Sequence, residues 1–375
     1  MNLTSMKAAL AAVLAGAILS SCGNDGPNLK GNLKMDRDTL LIQVAWKRNS
    51  LLDTVVLKNG YFETTIPDSV GFIYLFPKPK SENEMITMCP KRILFLPGDK
   101  MTISGDVYAP EVSGTELYDA LNRQTEMKEA EREWLDKVQE RNSLYTFDNR
   151  NAAAIDSLRE VVREAEKRLD EARMNLVKRE PANIASAYAT IFLPEKESIE
   201  AYGMLDESVK NSAIAPVLES FISSNKASLQ GKQNWESLKP GVQAPDFKLR
   251  NLDGEYMTLA SFKGKYVLLD FWGTWCGWCI KGIPDMKEYY AKYKDRIEFV
   301  GIDCNDTEEK WKNGVAEHEL PWTNLYNGSG KEIVTAYGVQ GYPTKIIIDP
   351  EGKIAAKFVG EDPAMYKKLD ELFQK

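Results

Sequence analysis

Two cysteines, Cys276 and Cys279, stand three positions apart in the run FWGTWCGWC at residues 271–279. A C-x-x-C pair offers three kinds of chemistry. It can supply half of a zinc site, close a small structural disulfide, or cycle between dithiol and disulfide. A closed zinc site needs four ligands. The chain has one histidine, His318, and no second C-x-x-C, while Cys89 and Cys304 lie in apolar strand-like runs, so no metal site is expected. A bridge across three positions closes a tiny loop and removes little unfolded-state entropy, which makes it a poor staple. The redox reading has a mechanism. The pair follows the apolar run KYVLLDFW at 265–272 and opens a helical stretch, so Cys276 meets the free amide groups and dipole of a helix N-terminus, where a thiolate is stabilised. One helical turn keeps the second sulfur within bonding reach. Cys276 can attack a substrate disulfide, and Cys279 can then displace the product thiol.

The elements around the pair read as α/β. Asp253-Gly254 turns a hairpin between the strands at 247–249 and 256–259. The run at 265–272 is continuous enough for a strand buried on both faces, and 297–302 is a second one. A helix runs from the cysteines to about residue 293. Asp306, with Glu309 three residues on, resembles a capping box for the next helix. Strands at 344–348 and 353–359 flank the turn Asp349-Pro350-Glu351-Gly352, and Pro363 opens a last helix. Strands alternating with helices and ending in a hairpin plus helix imply a mixed central sheet flanked by helices.

Upstream the pattern changes twice. Residues 29–108 read as short strands, with hairpin signals at Asn59-Gly60 and at Pro97-Gly98-Asp99, which suits a small β-sandwich or partial barrel. Residues 115–229 read as helical. Ile155, Leu158, Val162, Ala165, Leu169, Ala172 and Leu176 form a heptad seam, which fits an intramolecular helical hairpin or a dimerising coiled coil. Residues 230–240 read as a linker. The expected plan is therefore a leader at 1–22, a β-rich domain at 23–110, a helical region at 111–235 and the α/β domain at 236–375.

VLLDFWGTWCGWC, followed by GYPT ahead of a strand, resembles the thioredoxin family. GVQAPDFKL and LASFKGKYVLLDFW are similar to its membrane-tethered extracytoplasmic, TlpA/ResA-like branch and to the related peroxiredoxins. The match covers roughly 238–375. It implies a thioredoxin-like fold for this domain. It also implies a cis proline at Pro343, which would present the Tyr342 backbone as an edge for an extended substrate segment. Asp270 takes the place of a buried acid that helps deprotonate the second cysteine. A carboxylate among Leu268, Leu269 and Phe271 should have a raised pKa, the alternative being a strand-end aspartate facing solvent. Trp272 and Trp275 match aromatic positions that wall the site. Trp278 replaces the proline common between the cysteines. Trp275, Trp278, Gly277 and Tyr342 are the candidate substrate contacts. Members serving cytochrome c maturation often carry a glutamate three positions after the second cysteine, where this chain has Gly282. The β-rich part resembles, on LFLPGDKMTISGD and the following VSG, a domain of unknown function found ahead of thioredoxin domains in envelope lipoproteins.

The N-terminus resembles a lipoprotein leader. Lys7 is followed by the apolar stretch 8–19 and by Leu19-Ser20-Ser21-Cys22, which places Cys22 as a lipidated mature N-terminus. No other segment is apolar enough to span a bilayer. A net charge of −7 with basic residues spread along the chain gives no footprint for nucleic acid. The expected activity is a thiol–disulfide oxidoreductase of the cell envelope, needing no cofactor, with protein thiols and disulfides as substrates and a membrane electron donor. No histidine lies between the cysteines, which favours a reducing poise. Two alternatives stand beside it. Peroxide reduction would want a threonine three residues before the attacking cysteine, where Gly273 stands. An isomerase or interaction lipoprotein would dimerise through the helical region.

Overall fold

The computed structural model describes residues 26–46, 49–80, 89–144 and 152–374, so Cys22 and the leader lie outside the described residues. The chain divides into two compact units. One holds the residues up to Ala187 with Asp206–Val217, and the other holds Tyr188–Leu205 with Leu218–Lys375.

The first unit begins with eight strands: β1 (Leu29–Lys34), β2 (Thr39–Trp46), β3 (Asn49–Val56), β4 (Tyr61–Thr64), β5 (Gly71–Pro77), β6 (Ile93–Phe95), β7 (Met101–Asp106) and β8 (Ala109–Ser113). They form two four-stranded sheets, ordered β4-β1-β7-β8 and β3-β2-β5-β6. Leu29, Gly31 and Leu33 of β1 are buried while the lysines and asparagine between them are exposed, the period-two pattern of a sheet with one covered face. The two expected hairpins are corrected. Asn59 and Gly60 both take positive φ, and Lys58 and Tyr61 exchange backbone hydrogen bonds across them at 2.9 and 3.0 Å, so the tight turn is present. The strands beyond it part, however: β3 pairs with β2 and β4 pairs with β1. The Pro97-Gly98 turn likewise separates β6, on β5, from β7, on β1 and β8. Both turns pass the chain from one sheet to the other.

Helices follow: α1 (Glu116–Asn122), α2 (Thr125–Ser143), α3 (Ala152–Arg179), α4 (Ile184–Ile191), α5 (Glu195–Met204), α6 (Glu207–Lys210) and α7 (Ala215–Ser237). The heptad seam of α3 is buried at Ile155, Val162, Ala165, Leu169, Ala172 and Leu176, and α2 contributes Met127, Leu135 and Val138. Arg168 pairs with Glu133 at 2.6 Å and Asn175 donates to Glu126 at 3.0 Å, which sets the two helices antiparallel. The seam is used within the chain, as a helical hairpin.

The second unit is built on a seven-stranded sheet, ordered β10-β9-β13-β12-β11-β14-β15. Its strands are β9 (Lys248–Asn251), β10 (Tyr256–Thr258), β11 (Tyr266–Trp272), β12 (Ile297–Asp303), β13 (Thr323–Tyr326), β14 (Thr344–Ile348) and β15 (Ile354–Val359). Its further helices are α8 (Gly277–Tyr293), α9 (Glu308–Glu317), α10 (Glu332–Ala336) and α11 (Pro363–Phe373). Central β11 runs parallel to β12 and antiparallel to β14. Its odd-numbered residues Val267, Leu269 and Phe271 enter one core with Val300, Ile302, Ile346 and Ile348. Leu268 and Trp272 enter the other, with Phe299, Met286, Met365 and Leu369. Residues 230–237, expected as linker, are the last two turns of α7. Trp235 packs on the first of these cores, Asn234 donates to the Thr335 carbonyl at 2.8 Å, and the Lys357 ammonium lies 4.1 Å from the Trp235 ring centre. Its polar surface sequence hides this, because a few inward residues suffice to dock a helix end.

Candidate active site

Five hydrogen bonds fix the loop between β11 and α8. The Cys304 N–H donates to the Trp272 carbonyl at 2.8 Å, and the Cys276 N–H donates to the Gly273 carbonyl at 3.0 Å. The Trp275 indole donates to the Cys304 carbonyl at 2.8 Å. Thr274 donates both its backbone N–H, at 2.7 Å, and its hydroxyl, at 2.8 Å, to the Asp306 carboxylate. A Cβ at Gly273 would collide with the Trp275 indole and lie 2.8 Å from the Cys304 oxygen, so only glycine allows this arrangement. Asp306 is thus not the helix cap expected. Thr307 caps α9, its hydroxyl accepting from the Lys310 N–H, and this frees Asp306 to hold the loop.

Cys276 is the N-cap of α8 and is joined to Cys279 by a disulfide. The Cys279 N–H donates to the Cys276 sulfur at 3.1 Å. Both cysteines are nearly covered, at 6% and 5% exposure, so Cys276 in its reduced form would have this N–H and the α8 dipole as its local stabilisers. Cys304 and Cys89 are fully buried, and burial pushes both thiols up to about 12, which keeps them protonated and inert.

Asp270 lies mid-strand on the β11 face shared with Leu268 and Trp272, opposite Lys345 in the register with β14. It is buried, and desolvation pushes its carboxyl up from the ordinary range against the pull of the Lys345 ammonium 3.7 Å away. Lys345 is 1% exposed and also pairs with Glu361, in the turn between β15 and α11. Burial raises Glu361 too. Sequence reasoning misses Lys345 and Glu361. The signal for Lys345 is a lone charge inside the apolar strand TKIII; Glu361 carries no local signal.

Tyr342–Pro343 is cis, as the resemblance implies. The Tyr342 ring meets Trp275 edge-on at 5.1 Å, and the Pro343 carbonyl accepts from the Gly360 N–H at 2.7 Å. Tyr342 packs on the core that contains both cysteines and Trp272. Trp275 and Trp278 are 51% and 64% exposed, Gly277 between them is exposed, and Lys281 lies over the Trp278 ring at 4.9 Å. An open groove of about 920 Å³ begins at Thr274 and Trp275 and runs along α9 past Asp306, Lys310 and His318. His318 is therefore a partly covered groove residue at the end of α9. The structure thus gathers Cys276, Cys279, Trp275 and Tyr342 at one end of β11. Trp278 and Gly277 form the open rim of this group. Among the described residues no group of three or more His, Cys, Asp or Glu side chains could hold a metal ion.

A mixed sheet with a C-x-x-C disulfide at a strand-to-helix junction and a cis proline two residues before β14's second position defines a thioredoxin-like domain. Comparison with known proteins gives the branch. The model of the AhpC/TSA family matches residues 240–357. The thiol-disulfide oxidoreductase ResA of Bacillus thuringiensis subsp. konkukian is 38% identical over 141 residues, 37% of this chain and 80% of that protein. The thioredoxin-like protein YneN of Bacillus subtilis is 37% identical over 138 residues, 36% of this chain and 80% of its own length. Among solved structures, the thioredoxin domain of a thiol-disulfide oxidoreductase from Bacteroides vulgatus is 33% identical, with a TM-score of 0.34, covering 36% of this chain and 98% of that one. The chain belongs to the family of ResA-like thiol-disulfide oxidoreductases.

Proposed function

We propose that this oxidoreductase works outside the cytoplasm and in the reducing direction, through Cys276 and Cys279. In the reduced enzyme the Cys276 thiolate attacks a substrate disulfide. A mixed disulfide forms, and one substrate sulfur leaves as thiolate and takes a proton. Cys279 then loses its proton, displaces the second substrate sulfur from Cys276 and closes the enzyme disulfide. Two electrons pass from the enzyme dithiol to the substrate disulfide, and a membrane electron donor restores the dithiol. The observation that carries this reading is the Cys276 sulfur at the mouth of α8, accepting the Cys279 N–H. Asp270 accepts the proton of Cys279. Pro343 and Tyr342 offer backbone to an extended protein segment, while Trp275, Trp278 and Gly277 meet its side chains.

The placement follows from the leader: residues 1–21 are cut away, Cys22 carries lipid as the new N-terminus, and the protein sits on a membrane of the cell envelope. The β-rich strands and the α2–α3 hairpin carry no chemistry in this reading, and the catalytic unit includes α5 and most of α7. A full-length Cys279→Ala variant tests the reading. It should accumulate a mixed disulfide on Cys276 with envelope proteins, which mass spectrometry identifies. Recovery of no adduct, or of adducts on Cys304, would contradict it. A peroxidase reading is disfavoured by the collision that any side chain at Gly273 would have with Trp275. A dimeric isomerase loses its sequence argument, because the α3 seam is covered by α2; a solution mass of one chain would close that reading.

A further inference from the structure

Lys345 is a fully covered lysine, and such a residue persists only when paired. It has two carboxylate partners, Asp270 from β11 and Glu361 from the turn before α11. Gly282, one turn beyond Cys279 on the buried face of α8, has no side chain in the space that the Glu361 carboxylate fills: a Cβ there would collide with it. A glutamate distant in sequence is thus seated against the helix that carries both cysteines.

We propose that Glu361 is a positioning residue for the proton that leaves Cys279: by sharing the Lys345 ammonium with Asp270, it keeps Asp270 able to accept that proton. This rests on the exchange function proposed above. Two carboxylates against a single ammonium leave the fully ionised cluster with one negative charge in excess. Such a charge is costly in a buried site. Taking one proton from the Cys279 thiol makes the cluster neutral, and the Cys279 thiolate then closes the disulfide. Glu361, partly exposed at its edge, returns the proton to solvent. If Lys345 had no second partner, its whole charge would act on Asp270, holding that carboxylate ionised and making it a poor base. The ionisable groups facing the cluster are Lys345 from β14, Asp270 from β11, Cys304 just after β12, on which the Asp270 charge acts, Tyr366 from α11, whose hydroxyl lies 3.5 Å from Glu361, and Asp285 of α8, whose charge reaches Tyr366.

The test uses the reduced full-length chain mixed with dithiobis-nitrobenzoate across pH. The first thionitrobenzoate released reports attack by Cys276 and the second reports closure by Cys279. For Glu361→Gln the closure rate should fall about tenfold at its plateau. The acid limb of that rate should move to lower pH, with the first release unchanged. Lys345→Met should move the limb to higher pH, because Asp270 loses its cation; a merely structural role would not give opposite signs. Gly282→Ala keeps every titrating group but displaces Glu361, and should reproduce Glu361→Gln even if that variant folds poorly. Closure rates and limbs unchanged in Glu361→Gln and Gly282→Ala, with wild-type exchange intact, would overturn this proposal alone. A wild-type chain giving no first release would overturn the exchange reading as well.

Discussion

A single carboxylate, Asp306, ties the reactive loop to the end of β12 by accepting twice from Thr274, and its neighbour Asp303 shows a different use of a buried acid. Asp303 is fully buried at the end of β12, and burial, with the adjacent Asp306 carboxylate, pushes it up to about 8. The folded form therefore holds a proton on Asp303 between its ordinary value of 3.8 and about 8, where the unfolded chain has lost it. The folded state binds more protons in that window, so this group makes stability fall as pH rises through it. Asp303→Asn should flatten that fall, leaving a variant more stable than wild type at pH 8 and above in thermal melts taken across pH. A parallel decline in both proteins would show that Asp303 ionises normally. Both cysteines, Asp270 and the cis proline are readable in the sequence, because each follows from a local pattern or a local motif. Lys345 and Glu361 are not, because their meaning is created by register between β11 and β14 and by a turn that returns to α8.

At the scale of elements, continuous apolar runs identify β11, β12 and β14, and the heptad seam identifies α3. The turns at Asn59-Gly60 and Pro97-Gly98 are identified as turns, but a tight turn does not say which sheet receives the next strand. The short strand β13 is missed because Thr323 and the buried Asn324 make it look polar, although Leu325 reaches the core. The α2–α3 hairpin is held by its seam more than by its exposed ion pairs, which water and salt screen. Leu169→Ala should cost about 2–5 kcal/mol in denaturant unfolding, whereas Arg168→Ala should leave the unfolding midpoint nearly unchanged. Equal losses would place the stability of the hairpin in its charges.

For the whole molecule, the unit that carries the disulfide is discontinuous in sequence, and it takes α5 and most of α7 as well as the region of family resemblance. Trp235 docks α7 on the sheet core and Asn234 ties it to α10, while Glu195 of α5 accepts from Ser228 of α7 at 2.8 Å. A fragment starting at residue 236 loses the Trp235 contact. It should melt at a lower temperature than one starting at residue 188. Indistinguishable melting of the two would make α7 a passive extension.

The most direct measurement is the alkylation rate of Cys276 and Cys279 in the reduced full-length chain as pH is varied. Cys276 should become reactive at a midpoint well below the free-thiol value of about 8.5, while Cys279 stays protected until higher pH. Two cysteines that react alike, both with the midpoint of a free thiol, would contradict it.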